Sequence, residues 1–173
     1  EAARPFLASL VEETGESVPL AVEVDNRPVC VDILNTTRPF KRMTAPGRIL
    51  GDIATVHGKI YAAYKPPEER EAILAEPLTR RTPHTVMDRD VLAAELDKVR
   101  GEDLAYDFEG YYLGICAVGA PVRDQFGSVV ASISVVAPRG RFGPEERARC
   151  AEALRKTVDS FSAYLGWTAA ARE

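Results

Sequence analysis

The sequence lacks several features that mark common functional classes. Its three cysteines, Cys30, Cys116 and Cys150, are too few and too irregularly spaced for a disulfide framework, and with only two histidines they offer no zinc module. There is no glycine-rich phosphate loop, because Gly58-Lys59 lacks the P-loop spacing, and no G-x-S-x-G elbow for a nucleophilic serine. We therefore expect no metal site and no cofactor.

Excess positive charge and long apolar runs are also missing. The chain has 22 basic and 26 acidic residues, a net charge of −4, which opposes non-specific nucleic-acid binding. Its longest apolar run is shorter than a bilayer span, and no basic-apolar leader opens the sequence. We expect a soluble, cytoplasmic protein without a membrane partner, and 173 residues are enough for one domain with a sizeable core.

Apolar periodicity predicts helices at both ends of the chain. Residues 3 to 14 carry an amphipathic stripe that ends at Gly15, and Pro144 followed by two glutamates is typical of a helix start. We expect these two helices to pack together or on a shared sheet. Further elements are predicted between them: a hairpin of residues 18–24 and 29–33, helices at 52–64 and 66–74, a loop at 76–87, and a helix capped by Asp88 and closed by Gly101.

The stretch from Gly110 to Pro138 predicts two apolar strands joined at residues 124–127. Small residues and hydroxyls stand among Val and Ile there, without a cluster of acid, base and nucleophile, which favours a wall for a small ligand over a catalytic centre. Ser132 and Ser134 share one face of the second strand. An unpaired buried hydroxyl costs about 1–3 kcal/mol, so the two serines bond either to backbone or to a ligand, and we favour the ligand.

Three other residue types have competing interpretations. His57 is either a partner for an acidic ligand or a histidine satisfied by its neighbours, and the residues alone favour the second. Asp107 and Glu109 share a face of an extended segment, but acids at this spacing more often belong to a solvated loop than to a catalytic pair. Asp107 alone could still orient a ligand through one hydrogen bond. Cys116 has no neighbour that lowers its pKa and is predicted to be a buried apolar residue.

The order of these motifs resembles the C-terminal effector-binding domain of the IclR family of bacterial transcriptional regulators, from about Pro5 to Leu165. The residues that carry the resemblance are Gly58-Lys59, the helix 92–100, Tyr106-Asp107-Phe108-Glu109, Gly114, Ala120-Pro121-Val122, Asp124, Gly127, and residues 129–134 with Pro138.

The resemblance implies a GAF-like α/β (α+β) domain, with a curved, mainly antiparallel sheet and helices on both sides. It implies that residues 1–173 form one domain that senses a small molecule, often an organic or aromatic acid, and couples binding to the arrangement of a homodimer or homotetramer and to DNA affinity. DNA would be bound only by an N-terminal winged helix-turn-helix domain, which we expect to be absent from this chain because no basic helix-turn-helix precedes Phe6.

Carried over by position, the resemblance predicts a ligand site. Its residues are Val56, His57, Asp107, Ala117 with Cys116, and Ser134, with Ser132 beside it and an apolar cover from Phe40 and Met43 in the irregular loop 36–51. Relatives carry small residues where this chain has Val56 and His57, so we expect His57 to hydrogen-bond an anionic or aromatic effector. The alternative function is a GAF-like thiol enzyme, a reductase using Cys116, which we do not favour because that thiol is predicted to be buried.

Overall fold

The fold is built on one five-stranded sheet in which every pairing is antiparallel and the strand order is β2-β1-β5-β4-β3. The structure is a computed structural model that describes residues 1–168. The strands are β1 (Val18–Val24), β2 (Arg27–Leu34), β3 (Ala105–Phe108), β4 (Ile115–Arg123) and β5 (Val129–Pro138), and the helices are α1 (Arg4–Thr14), α2 (Val56–Tyr64), α3 (Pro67–Ala75), α4 (Arg89–Glu102) and α5 (Pro144–Tyr164).

The terminal helices α1 and α5 pack together on one face of the sheet, as the apolar stripes predict. The rings of Phe6 and Phe161 stack with centroids 4.9 Å apart. Alternate residues of β4 and β5, such as Val118 and Ile133, point into this core and are fully buried. Because α2 and α4 pack on the opposite face, the predicted α+β fold with helices on both faces is confirmed.

Helix α2 lies against the opposite face, and two glycines allow its close approach. A Cβ on Gly119 of β4 would lie 2.9 Å from the Cβ of Val56, so only glycine fits under the start of the helix. A Cβ on Gly58 would lie 2.0 Å from the carbonyl oxygen of Asp52, in the turn that precedes the helix. These contacts fix α2 across the middle of the sheet, with α4 packed beside it.

The structure corrects two helix boundaries. Helix α2 begins at Val56 rather than at residue 52, because residues 52–55 form a turn and the Thr55 hydroxyl accepts the Gly58 N–H as the N-cap. Helix α4 passes through Gly101 and ends at Glu102, and Asp103 adopts the left-handed conformation after it, with φ 54°. Arg123 binds the Asp103 carboxylate and holds that residue in place.

The segment 36–51 is irregular, as predicted, and its start is tied down by a buried carboxylate. Glu16 accepts hydrogen bonds from Arg141 at 2.6 Å and 2.9 Å and from Arg38 at 3.1 Å. Arg141 also donates to the carbonyl oxygens of Pro39 and Phe40. The loop is thereby anchored to the junction between α1 and β1. No helix within residues 1–168 combines the length and the apolar character needed to cross a membrane.

Candidate functional site

Most of the predicted site residues meet on the sheet face that α2 covers. Asp107 of β3 pairs with Ala117 of β4, so both side chains point to this face. Ser132 and Ser134 of β5 point the same way, because Ser134 pairs with Gly119, which faces α2. Val56 and His57 form the first turn of α2 above them. The predicted wall is therefore a single surface.

Cys116 lies on the opposite face of the sheet. It is buried in the apolar core beneath α5, and the sheet separates it from Asp107 and Ala117. Burial raises the pKa of its thiol, and Cys30 and Cys150 are also free and buried. These thiols do not have the accessible, low-pKa character of a reactive cysteine.

His57 is bound through both ring nitrogens. Its Nδ1 lies 2.7 Å from the Ser132 hydroxyl, and its Nε2 lies 3.0 Å from the Ser134 hydroxyl. Ser132 in turn donates to the Tyr61 hydroxyl at 3.0 Å, and Tyr61 donates to the carbonyl oxygen of Ala21 at 2.9 Å. The two serines therefore bond to side chains rather than to neighbouring backbone.

The end of this hydrogen-bond chain sets its direction. A carbonyl oxygen only accepts, so Tyr61 must donate to Ala21, and Ser132 must donate to Tyr61. The Ser132 oxygen therefore accepts a hydrogen bond from the N–H of His57 Nδ1, and His57 Nε2 accepts a hydrogen bond from the Ser134 hydroxyl. Burial lowers the pKa of His57 to about 3, with a smaller contribution from the positive charge of Arg42, so the ring is neutral at physiological pH. In this structure His57 is satisfied by its neighbours, and its contact with an effector stays a prediction.

Asp107 is a buried carboxyl group at the edge of the same face. Its Oδ1 accepts the Gly110 N–H at 2.7 Å. Burial raises its pKa from 3.8 to about 6, although this hydrogen bond and the charge of Lys59 oppose the shift. Glu109 turns elsewhere: its carboxylate accepts the Gly114 N–H at 2.8 Å and lies 3.3 Å from Arg139. The two acids have separate partners and do not form a catalytic pair.

A cavity of about 860 Å³ runs along α2 beside Asp107. Lys59 lines it and is already engaged: its ammonium donates to the Tyr106 carbonyl oxygen at 2.8 Å and lies 2.8 Å from Glu95 Oε2. The turn before α2 and Tyr111 complete the wall near Asp107. Among the predicted site residues, Asp107 lines the cavity, whereas His57, Ser132 and Ser134 do not. The wall mixes apolar side chains with charged ones such as Lys65 and Glu95, so this cavity is more polar than a typical small-molecule site.

Sequence reasoning missed an arrangement of two arginines and two tyrosines at this end of α2. The rings of Tyr111 and Tyr112 contact each other edge to face, 4.7 Å apart. Arg81 lies over Tyr111 at 4.3 Å and Arg42 over Tyr112 at 4.6 Å. All four residues are in loops without apolar periodicity, so the adjacent tyrosines after the acidic segment were the only available signal.

Phe40 and Met43 are largely exposed, at 88% and 66%. They do not cover an apolar surface here, and contact with a ligand would require the loop 36–51 to fold inwards. Their role stays a prediction. Within the part of the chain that the structure describes, no group of three or more His, Cys, Asp or Glu residues is arranged to hold a metal ion.

The comparisons with known proteins agree with this geometry. Residues 1–163 match the family described as bacterial transcriptional regulator IclR C-terminal. The HTH-type transcriptional regulator Rv1719 of Mycobacterium tuberculosis is 34% identical over 164 residues, which cover 95% of this chain and 62% of that protein. The chain thus spans less than two thirds of that relative.

Two solved structures have the same fold. The Thermotoga maritima IclR has a TM-score of 0.89 at 28% identity, covering 96% of this chain and 68% of that one. A double mutant of the PobR inducer-binding domain from Acinetobacter has a TM-score of 0.83 at 24% identity, covering 92% of this chain and 95% of that one. Together with the family match, the fold shows that this chain belongs to the IclR family of bacterial transcriptional regulators, as an effector-binding C-terminal domain rather than an enzyme.

Proposed function

We propose that this domain binds a small organic or aromatic acid beside Asp107, at the start of α2. The observation that carries the proposal is the Asp107 carboxyl group, which is only 7% exposed and borders a cavity. Burial opposes its ionisation and raises its pKa to about 6. A buried carboxyl group with a raised pKa in a cleft is typical of functional sites, because stability alone does not favour it.

The chemistry of the ligand is supported by the size of the cavity and by one relative. A volume of about 860 Å³ is ample for a small acid. The PobR inducer-binding domain, which shares this fold, was solved in complex with 3-hydroxybenzoic acid. An aromatic or short aliphatic acid is therefore the ligand class to test first.

The regulatory output would follow from differential binding. The full-length regulator would bind DNA in the bacterial cytoplasm through an N-terminal winged helix-turn-helix domain, as a homodimer or homotetramer. An effector that prefers one subunit arrangement shifts the population towards it, and the change in DNA affinity cannot exceed that preference. Helix α2 is suited to transmit the signal, because His57 joins its first turn to β5.

A thermal-shift screen of the domain against aromatic acids, short organic acids and sugar acids tests the proposal. One class should raise the melting temperature. Asp107→Asn should change the size of that rise, because it removes a charge beside the cavity, and Ser134→Ala should reduce it. Glu152→Gln is the matched control, because it removes a carboxylate from the outer surface of α5, where Glu152 pairs with Lys156 in the next turn. A rise that is unchanged in both site variants would move the ligand elsewhere, and no rise with any class would contradict acid sensing.

A further inference from the structure

Arg42 and Arg81 flank the same tyrosine pair, but their surroundings differ. Arg81 stacks on Tyr111 and is bound by the Asp52 carboxylate, with distances of 3.0 Å to Nε and 2.6 Å to Nη2. Arg42 stacks on Tyr112 at 4.6 Å. No carboxylate among residues 1–168 forms an ion pair with Arg42 within 4.0 Å. Both arginines therefore stack on a tyrosine ring, but among residues 1–168 only Arg81 also has a carboxylate partner.

The charge of Arg42 acts on the site. It lowers the pKa of His57, and it opposes the increase in the pKa of Asp107 that burial causes. The other cation that acts on Asp107 is Lys59, which is engaged by Glu95 and by the Tyr106 carbonyl oxygen. Arg42 does not itself line the cavity, but Tyr111 does, and Tyr111 contacts the ring of Tyr112 on which Arg42 stacks. Of the two cations that act on Asp107, Arg42 is the one without a carboxylate partner among residues 1–168.

A stacked guanidinium is well suited to a carboxylate. Its planar fork donates two parallel hydrogen bonds to the two carboxylate oxygens. Stacking on an aromatic ring already restricts the guanidinium, so less conformational entropy is lost when the ligand binds. The Ser134 hydroxyl, in contrast, is fully buried and donates to His57, so it has only lone pairs left. A carboxylate has no proton to donate to those lone pairs.

We propose that Arg42 binds the carboxylate of the effector, so that this domain selects an acid over the corresponding neutral amide. The inference rests on the proposed acid-sensing function and adds the residue that makes it selective. The loop 36–51, which carries Arg42, is tied to the body of the domain through Glu16 and Arg141, so the effector would bridge this loop and the first turn of α2.

The test compares acid and amide probes on four forms of the domain. Calorimetric titrations would use benzoate, 3-hydroxybenzoate and pyruvate, each against its primary amide, at up to millimolar concentration. The proteins are the wild type, Arg42→Met, Arg42→Lys and Arg48→Met. Arg48 is the matched control, because it lies in the same loop, is exposed, and carries the same charge.

We expect at least one acid to bind the wild type and Arg48→Met equally, and to bind Arg42→Met roughly tenfold to hundredfold more weakly. Arg42→Lys should lose about tenfold, because an ammonium lacks the bidentate fork, and this variant decides the matter if Arg42→Met melts early. The amides should bind weakly to all four forms.

Other outcomes overturn the inference in distinguishable ways. An acid that binds Arg42→Met and Arg42→Lys as tightly as the wild type would remove Arg42 from the site and leave acid sensing intact. An amide that binds as tightly as its acid would remove the charge selection. No acid binding to the wild type would contradict the proposed function itself.

Discussion

Replacing Asp107 by Asn should stabilise the domain at pH 7.5. The carboxyl group is 7% exposed, and burial raises its pKa from 3.8 to about 6. Asparagine has nearly the same shape, and its Oδ1 can still accept the Gly110 N–H, which lies 2.7 Å away. The substitution therefore removes the buried charge and keeps the packing.

The magnitude follows from the difference between the folded and unfolded pKa values. Because the folded value is higher, the folded state binds more protons between pH 3.8 and about 6, and the contribution of Asp107 to stability is lost as the pH rises through this window. Two pKa units correspond to about 3 kcal/mol, so the ionised carboxylate costs on the order of 2–3 kcal/mol at pH 7.5. At pH 4.5 the cost falls to about 1 kcal/mol.

Urea unfolding of the wild type and Asp107→Asn at pH 7.5 and pH 4.5 measures this difference. The variant should be more stable by about 2 kcal/mol at pH 7.5, and the gap should narrow at pH 4.5. Comparing the two proteins at each pH cancels the titration of every other group, including His57. Equal stability at pH 7.5, or a gap that does not depend on pH, would refute the reasoning, because it would mean that neighbouring groups satisfy the carboxylate fully.

Three further substitutions test the packing that positions the site. Gly58→Ala should lower the free energy of unfolding by at least about 3 kcal/mol in thermal melts, because the new methyl group would lie 2.0 Å from a backbone carbonyl oxygen. Gly101→Ala, in a helix with open space around it, should instead raise it by about 0.5–1 kcal/mol. Glu16→Gln should cost about 2–4 kcal/mol in urea unfolding, because it leaves Arg141 without its carboxylate, and unchanged stability would mean that this ion pair is dispensable.

The features that the sequence predicted well are local. Gly15 ends α1 in the left-handed conformation, Asp88 caps α4 through its side chain, and Pro144 opens α5. Each of these signals acts within one turn of its own helix, so it operates whatever the rest of the chain does. The alternation in β5 likewise placed Ser132 and Ser134 on one face of the sheet, as the structure has them.

The features that it missed depend on contacts between distant segments. Helix α4 ends where Asp103 adopts the left-handed conformation, and the carboxylate of that residue is bound by Arg123, twenty positions later, which no local pattern indicates. The stacking of Arg42 on Tyr112 joins two irregular loops. The pairing of β5 with β1 and β4 is what places both serine hydroxyls against the ring of His57. Sequence spacing shows the serines on one face but not the histidine between them.

The tautomer of His57 links these observations in one measurement. The hydrogen bonds run from Ser134 through the ring to Ser132, so Nδ1 carries the proton, which is the less common tautomer of a free imidazole. The ring should stay neutral as the pH falls below 6.5, because burial lowers its pKa to about 3. Long-range 1H–15N correlation spectra of the domain at pH 7 should therefore show a protonated Nδ1 and an unprotonated Nε2 for His57, and Ser132→Ala should perturb Nδ1 first. A protonated Nε2 would reverse the hydrogen bonds at the ring and leave Ser132 without a proton for Tyr61. It would also free the Ser134 proton, and so remove one of the reasons for assigning the effector carboxylate to Arg42.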